Sequence, residues 1–129
     1  MISIGCPDRD PPSGFYHFPP EQKLKLTFFD YICEVKDYTE MRALPYCPSH
    51  QDINQVINFT AQKIKPLVEV NPTVLIHCEV GISRSPAIAQ IVLQELGLTE
   101  DEAYKMVMAE RPQAFPNGLI LDLYRRAIA

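Results

Sequence analysis

Apolar and polar residues alternate well from Lys23 to Phe29. Leu24, Leu26 and Phe28 fall on one side and Lys23, Lys25 and Thr27 on the other, the period of a half-buried β-strand. Beyond Ser49 the period lengthens: Ile53, Val56, Ile57, Thr60 and Ile64 recur at helical spacing behind a Ser49–Asp52 capping signal, and Pro66 and Pro72 bracket the exit. Val74, Leu75 and Ile76 make a short β-prone run. Ala87, Ile88, Ile91, Val92 and Leu96 predict a helix apolar enough to be the central one, stopped at Gly97. Thr99 and Glu102 form a capping box for a further helix that ends near Arg111-Pro112. Ala103, Met106, Val107 and the neighbourhood of Met108 supply its buried stripe. Asn117-Gly118 leads into a last helix, LILDLYRRAIA.

Strands alternating with helices predict an α/β fold, a three-layer domain with a mostly parallel central sheet flanked by helices. Two stretches escape the periodicity. Met1 to Pro20 opens strand-like (ISI), but Pro7, Pro11, Pro12, Pro19 and Pro20 exclude a helix there. Residues 1–22 therefore read as an irregular N-terminal part of a single domain spanning 1–129. Within it Phe15, Tyr16, His17 and Phe18 either line a pocket or plug one edge of the core. Tyr31 to Pro48 is a long connection, in which DYTEMRAL carries a weak turn or two of helix.

Composition narrows the class. A chain of 129 residues, 47% hydrophobic and 22% charged, is ordinary for a soluble globular domain. No apolar run approaches the ~20 residues of a membrane span, and no basic-then-apolar signal opens the chain. Cys6, Cys33, Cys47 and Cys78 show no Cys-x-x-Cys pairing, which reads as reduced thiols in a cytoplasm. A net charge of −4 argues against nucleic acid or an anionic membrane as the main partner. His17, His50 and His77 are too scattered for a metal-ligand set, and neither metal nor cofactor is expected. Nothing in the sequence sets an oligomeric state.

The chemistry concentrates in Thr73 to Ser85, TVLIHCEVGISRS. An apolar strand running into a tight loop that opens directly into a helix makes an anion cradle, lined by loop N–H groups and the positive end of the helix. Glu79, Val80, Gly81, Ile82 and Ser83 form that loop, with Gly81 supplying backbone freedom. Cys78 at its start would be held as a nucleophilic thiolate. Arg84 at its end offers a planar fork that fits two phosphoryl oxygens at once. Cys-x5-Arg alone arises by chance in about one such chain in four, so the specificity lies in the strand, His77, Gly81, Ser85 and the helix around it.

HCEVGISRS resembles the phosphate-binding signature of the cysteine-dependent protein tyrosine phosphatases, most closely their dual-specificity branch. RPQAFPNGLILDLY resembles that branch's C-terminal segment. The order LKLTFFDY, helix, HCEVGISRS, FPN is similar to that of a small bacterial group of predicted tyrosine phosphatases. The similarity runs from about Lys23 to the C-terminus, and the relatives carry an extra strand and helix before this region, so the chain is either a shortened version or begins late. The resemblance implies hydrolysis of phosphate monoesters through a cysteinyl-phosphate intermediate. Its substrate would be a phosphorylated protein, phosphotyrosine foremost with phosphoserine and phosphothreonine beside it, or a small aryl phosphate. Cys78 is then the nucleophile, Arg84 the transition-state clamp and Ser85 a hydrogen-bond donor to the sulfur. His77 tunes Cys78 through the network around the loop, and Asn117 holds the loop in place, unless it is simply a turn residue. Glu79 is acidic where phosphoinositide-directed relatives tend to be basic.

The general acid departs from the pattern. ALPYCPSHQD, where such enzymes place it, has Tyr46 and Cys47 instead, and Asp52 is committed to capping. Asp30, at the carboxyl end of its strand, is the choice and Asp37 the second. Two alternatives stay open: a catalytically weak phosphate or phosphoprotein-binding module, and an arsenate-reducing or sulfur-transfer enzyme. Arsenate reduction would need Cys33 or Cys47 to reach Cys78.

Overall fold

The computed structural model describes residues 1–7, 9–31 and 44–129. Three strands, β1 (Ile2–Gly5), β2 (Leu24–Thr27) and β3 (Ile76–His77), form an all-parallel sheet in the order β2-β1-β3. Ile4 stands opposite Leu26, and Ser3 opposite His77. Four α-helices accompany it among the described residues: α1 (His50–Phe59), α2 (Arg84–Glu95), α3 (Glu100–Glu110) and α4 (Gly118–Ile128). The α/β class and the parallel sheet are those that the periodicity implied. None of these helices is long and apolar enough to cross a membrane.

The core lies between one sheet face and three helices. Ile2, Ile4, Leu26 and Phe28 meet Ile53 and Val56 of α1, Ile88 and Ile91 of α2, and Ile120 and Leu123 of α4. Helix α2 is buried on nearly every side, Gln90 included, which is why its apolar residues outrun a single stripe. It stops at Gly97, whose φ of +111° suits glycine, while Leu98 N–H returns to the Leu93 carbonyl at 3.1 Å. Both expected capping boxes are present, Ser49 with Asp52 and Thr99 with Glu102.

Four local expectations are corrected. The prolines near the N-terminus exclude an α-helix but admit 3-10 turns at Ser13–His17 and Pro20–Gln22, where few intrahelical N–H groups are needed. In the first of these Phe15 is buried beneath the Lys23 ammonium, which sits 4.2 Å from its ring centre, whereas Tyr16 is 65% exposed. The helix after Ser49 is α-helical only to Phe59. It widens into a π-turn over Thr60–Ile64 and tightens into a 3-10 turn over Lys65–Val70. Pro66 has no N–H and crowds the preceding turn, and the buried Thr60 hydroxyl donates back to the Val56 carbonyl at 2.8 Å. On α3, Ala103 and Val107 are buried but Met106 is 52% exposed. Strand β3, which leads into Cys78, is only two residues long, so Leu75 lies outside it and is exposed. The helical turn expected over 37–44 falls almost wholly outside the described residues.

Because all three strands run the same way, their carboxyl ends share one edge, where open α/β sheets bind ligands. Cys6, Phe28 to Asp30, and Cys78 emerge there.

Candidate active site

Cys78 follows β3 directly, and Arg84 is the first residue of α2. The five-residue path between Cys78 and Arg84 turns at Gly81, with φ +76°, a region costly to any residue bearing a Cβ. What holds the curl is the connection between α3 and α4. Arg111 Nε donates to the Gly81 carbonyl at 2.6 Å and Nη2 to the Val80 carbonyl at 3.2 Å. Phe115 N–H donates to the Ile82 carbonyl at 2.7 Å, and Asn117 N–H to that of Ser83 at 3.0 Å. Four successive carbonyls are thus tied to the connection between α3 and α4, while the Gly81 and Ser85 N–H groups face the Cys78 sulfur, as in an anion-binding nest.

The sulfur sits at the start of this nest. Gly81 N–H donates to Cys78 Sγ at 3.2 Å, and Ser85 Oγ lies 3.2 Å from it. Burial alone would push the Cys78 thiol up, but the Ser85 hydroxyl and backbone N–H, the Gly81 N–H and the Arg84 charge outweigh it, and the thiol lies below its ordinary value. Arg84 is only 5% exposed. Its Nη1 donates to the Phe28 carbonyl at 2.9 Å and lies 3.5 Å from Cys6 Sγ. The strand end therefore fixes the guanidinium plane. His77 Nε2 is buried with no hydrogen-bond partner among the described residues, so the hydrogen bonds at the sulfur come from Gly81 and Ser85.

Asp30 stands at the rim. Its Oδ1 accepts from Ser83 Oγ and from Asn117 Nδ2, each at 2.7 Å. This explains why Ser83, at the N-cap of α2, gives that helix no side-chain cap. Asn117 is buried and joins three elements. Its Nδ2 also donates to the Tyr31 carbonyl at 2.8 Å, its Oδ1 accepts the Ile120 N–H at 3.0 Å as the cap of α4, and its backbone holds Ser83. Being a turn residue and fastening the loop are one role here. Asp37 and Cys33 lie outside the described residues.

Glu79 does not point freely into solvent. It pairs with Arg9, and its Oε2 lies 3.9 Å from Arg84 Nη2. No sequence pattern points to Arg9 or Arg111 as a site residue: Arg111 sits inside the RPQAFPN segment at the end of a helix, and Arg9 lies in a Pro-rich stretch with no period to place it. Nest, sulfur and guanidinium together have the geometry to seat a tetrahedral dianion, with the Asp30 carboxylate hydrogen-bonded to the loop through Ser83. Among the described residues no group of three or more His, Cys, Asp or Glu is arranged to hold a metal ion.

The family model "Dual specificity phosphatase, catalytic domain" matches residues 21–127. Over 61 residues, 43% of the chain, the sequence is 39% identical to human dual specificity protein phosphatase 16. Over 96 residues, 73% of the chain, it is 29% identical to tyrosine-protein phosphatase vhp-1 of Caenorhabditis elegans. These matches span 9% and 14% of the relatives' own lengths. The fold is similar to the crystal structure of human DUSP28, with a TM-score of 0.62 at 20% identity over 97% of this chain and 72% of that one. The chain belongs to the family of dual specificity phosphatase catalytic domains.

Proposed function

We propose that residues 1–129 are one catalytic domain that hydrolyses phosphate monoesters of proteins. Phosphotyrosine comes first, with phosphoserine and phosphothreonine also within its chemistry, and a small aryl phosphate can serve as a minimal substrate. The Cys78 thiolate attacks phosphorus in line, the S–P bond forms, and the P–O bond to the leaving group breaks. Asp30 gives its proton to the departing oxygen. Its carboxylate then takes a proton from water, which attacks the cysteinyl phosphate and expels the thiolate toward Ser85. Arg84 and the loop N–H groups carry the charge of the equatorial oxygens. The reaction requires reduced Cys78, consistent with a cytoplasmic setting. The observation that carries this reading is the sulfur's environment: the Gly81 N–H and the Ser85 hydroxyl each lie 3.2 Å from Cys78 Sγ, at the start of the loop that ends in the buried Arg84.

Hydrolysis of para-nitrophenyl phosphate without added metal, from pH 5 to 8 (roughly the span in which acid and base limbs are read), tests it. Wild type turns over. Asp30→Asn keeps an acceptor for Ser83 and Asn117, so the rim stays in place while the proton is lost. We expect kcat for para-nitrophenyl phosphate to fall about 10²-fold, kcat/KM to fall most on phosphotyrosine peptides, whose leaving group needs the proton, and the basic limb to be lost. If Asp30→Asn keeps both rate and limb while Asp37→Asn loses them, the acid is Asp37. Wild type that binds phosphate but does not turn over would leave a binding module.

A further inference from the structure

Glu79 places a carboxylate at the mouth of a loop built to take a dianion. Its Oε2 lies 3.9 Å from Arg84 Nη2 and 3.8 Å from Cys6 Sγ, while Oε1 accepts from Arg9 Nη1. Arg84 is the group that the phosphoryl oxygens need, and an anion this close to it competes with them. Arg9 reaches in from the segment after β1, seventy positions away in sequence, and takes hold of the other carboxylate oxygen. Its own side chain is 67% exposed, so packing does not account for where it lies.

We infer that Arg9 is a positioning and affinity-setting residue: by binding one Glu79 oxygen and balancing its charge, it limits the carboxylate's hold on Arg84 to a long 3.9 Å contact that a phosphoryl group can displace. The inference rests on the reading of the loop as a phosphate site. When a dianion enters, Glu79 yields Arg84 to it and stays on Arg9, so the site gains a cation that never touches substrate. Without Arg9, Glu79 settles on Arg84, and substrate must displace a carboxylate to bind. The effect falls on binding, and kcat moves little once the dianion is seated.

Calorimetric titration with tungstate tests this at equilibrium, with wild type, Arg9→Ala, Glu79→Gln and the double variant at low and high salt. Arg9→Ala should bind tungstate about three- to fivefold more weakly, the range of a partly exposed charge pair. Adding Glu79→Gln should restore or exceed wild-type affinity, because the competing carboxylate is gone. High salt should shrink the difference. In turnover, KM for an aryl phosphate should rise by a similar factor, with kcat moving by less than about twofold. A loss in Arg9→Ala that Glu79→Gln does not relieve, or affinity equal to wild type, overturns the inference. Thermal melts of each variant separate a folding defect, which Glu79→Gln would not repair. If wild type binds tungstate in this pattern yet hydrolyses nothing, the catalytic reading falls and the role of Arg9 stands. If wild type binds no tungstate, both fall.

Discussion

Cys78→Ser is expected to lower kcat for para-nitrophenyl phosphate by about 10⁴-fold or more while leaving tungstate binding within about threefold. The two halves of that expectation have different origins. Turnover depends on a thiolate, and the structure favours one: hydrogen bonds from Ser85 and Gly81 with the Arg84 charge overcome the burial that would raise the thiol. A serine hydroxyl in the same place keeps its proton and is a far weaker nucleophile. Binding depends on the nest, whose carbonyls are held by Arg111, Phe115 and Asn117 rather than by the sulfur. The sign of the pH dependence follows. A thiol below its ordinary value is active when deprotonated, so wild-type kcat/KM is present above that lowered value and is lost as pH falls through it. A variant that kept substantial turnover would remove Cys78 from the chemistry.

Arg84→Lys is the second large effect. Charge is preserved, yet we expect kcat and kcat/KM to fall together by about 10³-fold. The guanidinium is buried and one of its nitrogens is committed to the Phe28 carbonyl at 2.9 Å. That bond orients the plane so that the rest of the fork faces the loop. An ammonium has no plane to orient and cannot reach the Phe28 carbonyl and two phosphoryl oxygens together. A parallel loss in both kinetic parameters would mark an interaction stronger in the transition state than in the bound substrate. Retention of rate within tenfold in Arg84→Lys, with KM raised instead, would reduce Arg84 to a simple electrostatic anchor.

Much of this architecture was legible because it is local. Capping boxes at Ser49 and Thr99, the stop at Gly97 and the alternation from Lys23 are short-range signals, and each appears where its residues lie. The loop was legible for the same reason: nucleophile, turn glycine, arginine and helix start fall within eight positions, Cys78 to Ser85. Its fastening was not. The carbonyls of Val80 to Ser83 are held by residues some thirty positions later, and no periodicity reports which side chain turns back to which carbonyl. Arg111 looked like the end of a helix, which it also is. Arg9 and Glu79 meet only because β1 and β3 pair in parallel, and their partnership is invisible until the register is known. Met106 failed as a buried residue because α3 covers only one edge of the core, and four apolar candidates on it exceed the stripe that edge can hide.

The account turns on a covalent bond between Cys78 and phosphorus, and the most direct measurement is to catch it. Wild type and Asp30→Asn would be mixed with para-nitrophenyl phosphate, quenched in acid within the first turnovers, digested and weighed by mass spectrometry. Asp30→Asn should accumulate the intermediate, because para-nitrophenol leaves with little help whereas water attack still needs a base. The account predicts one phosphoryl group on the peptide containing Cys78, on that residue and absent in Cys78→Ser. Product release with no phosphoryl on Cys78, or with phosphoryl carried by another residue, would contradict it.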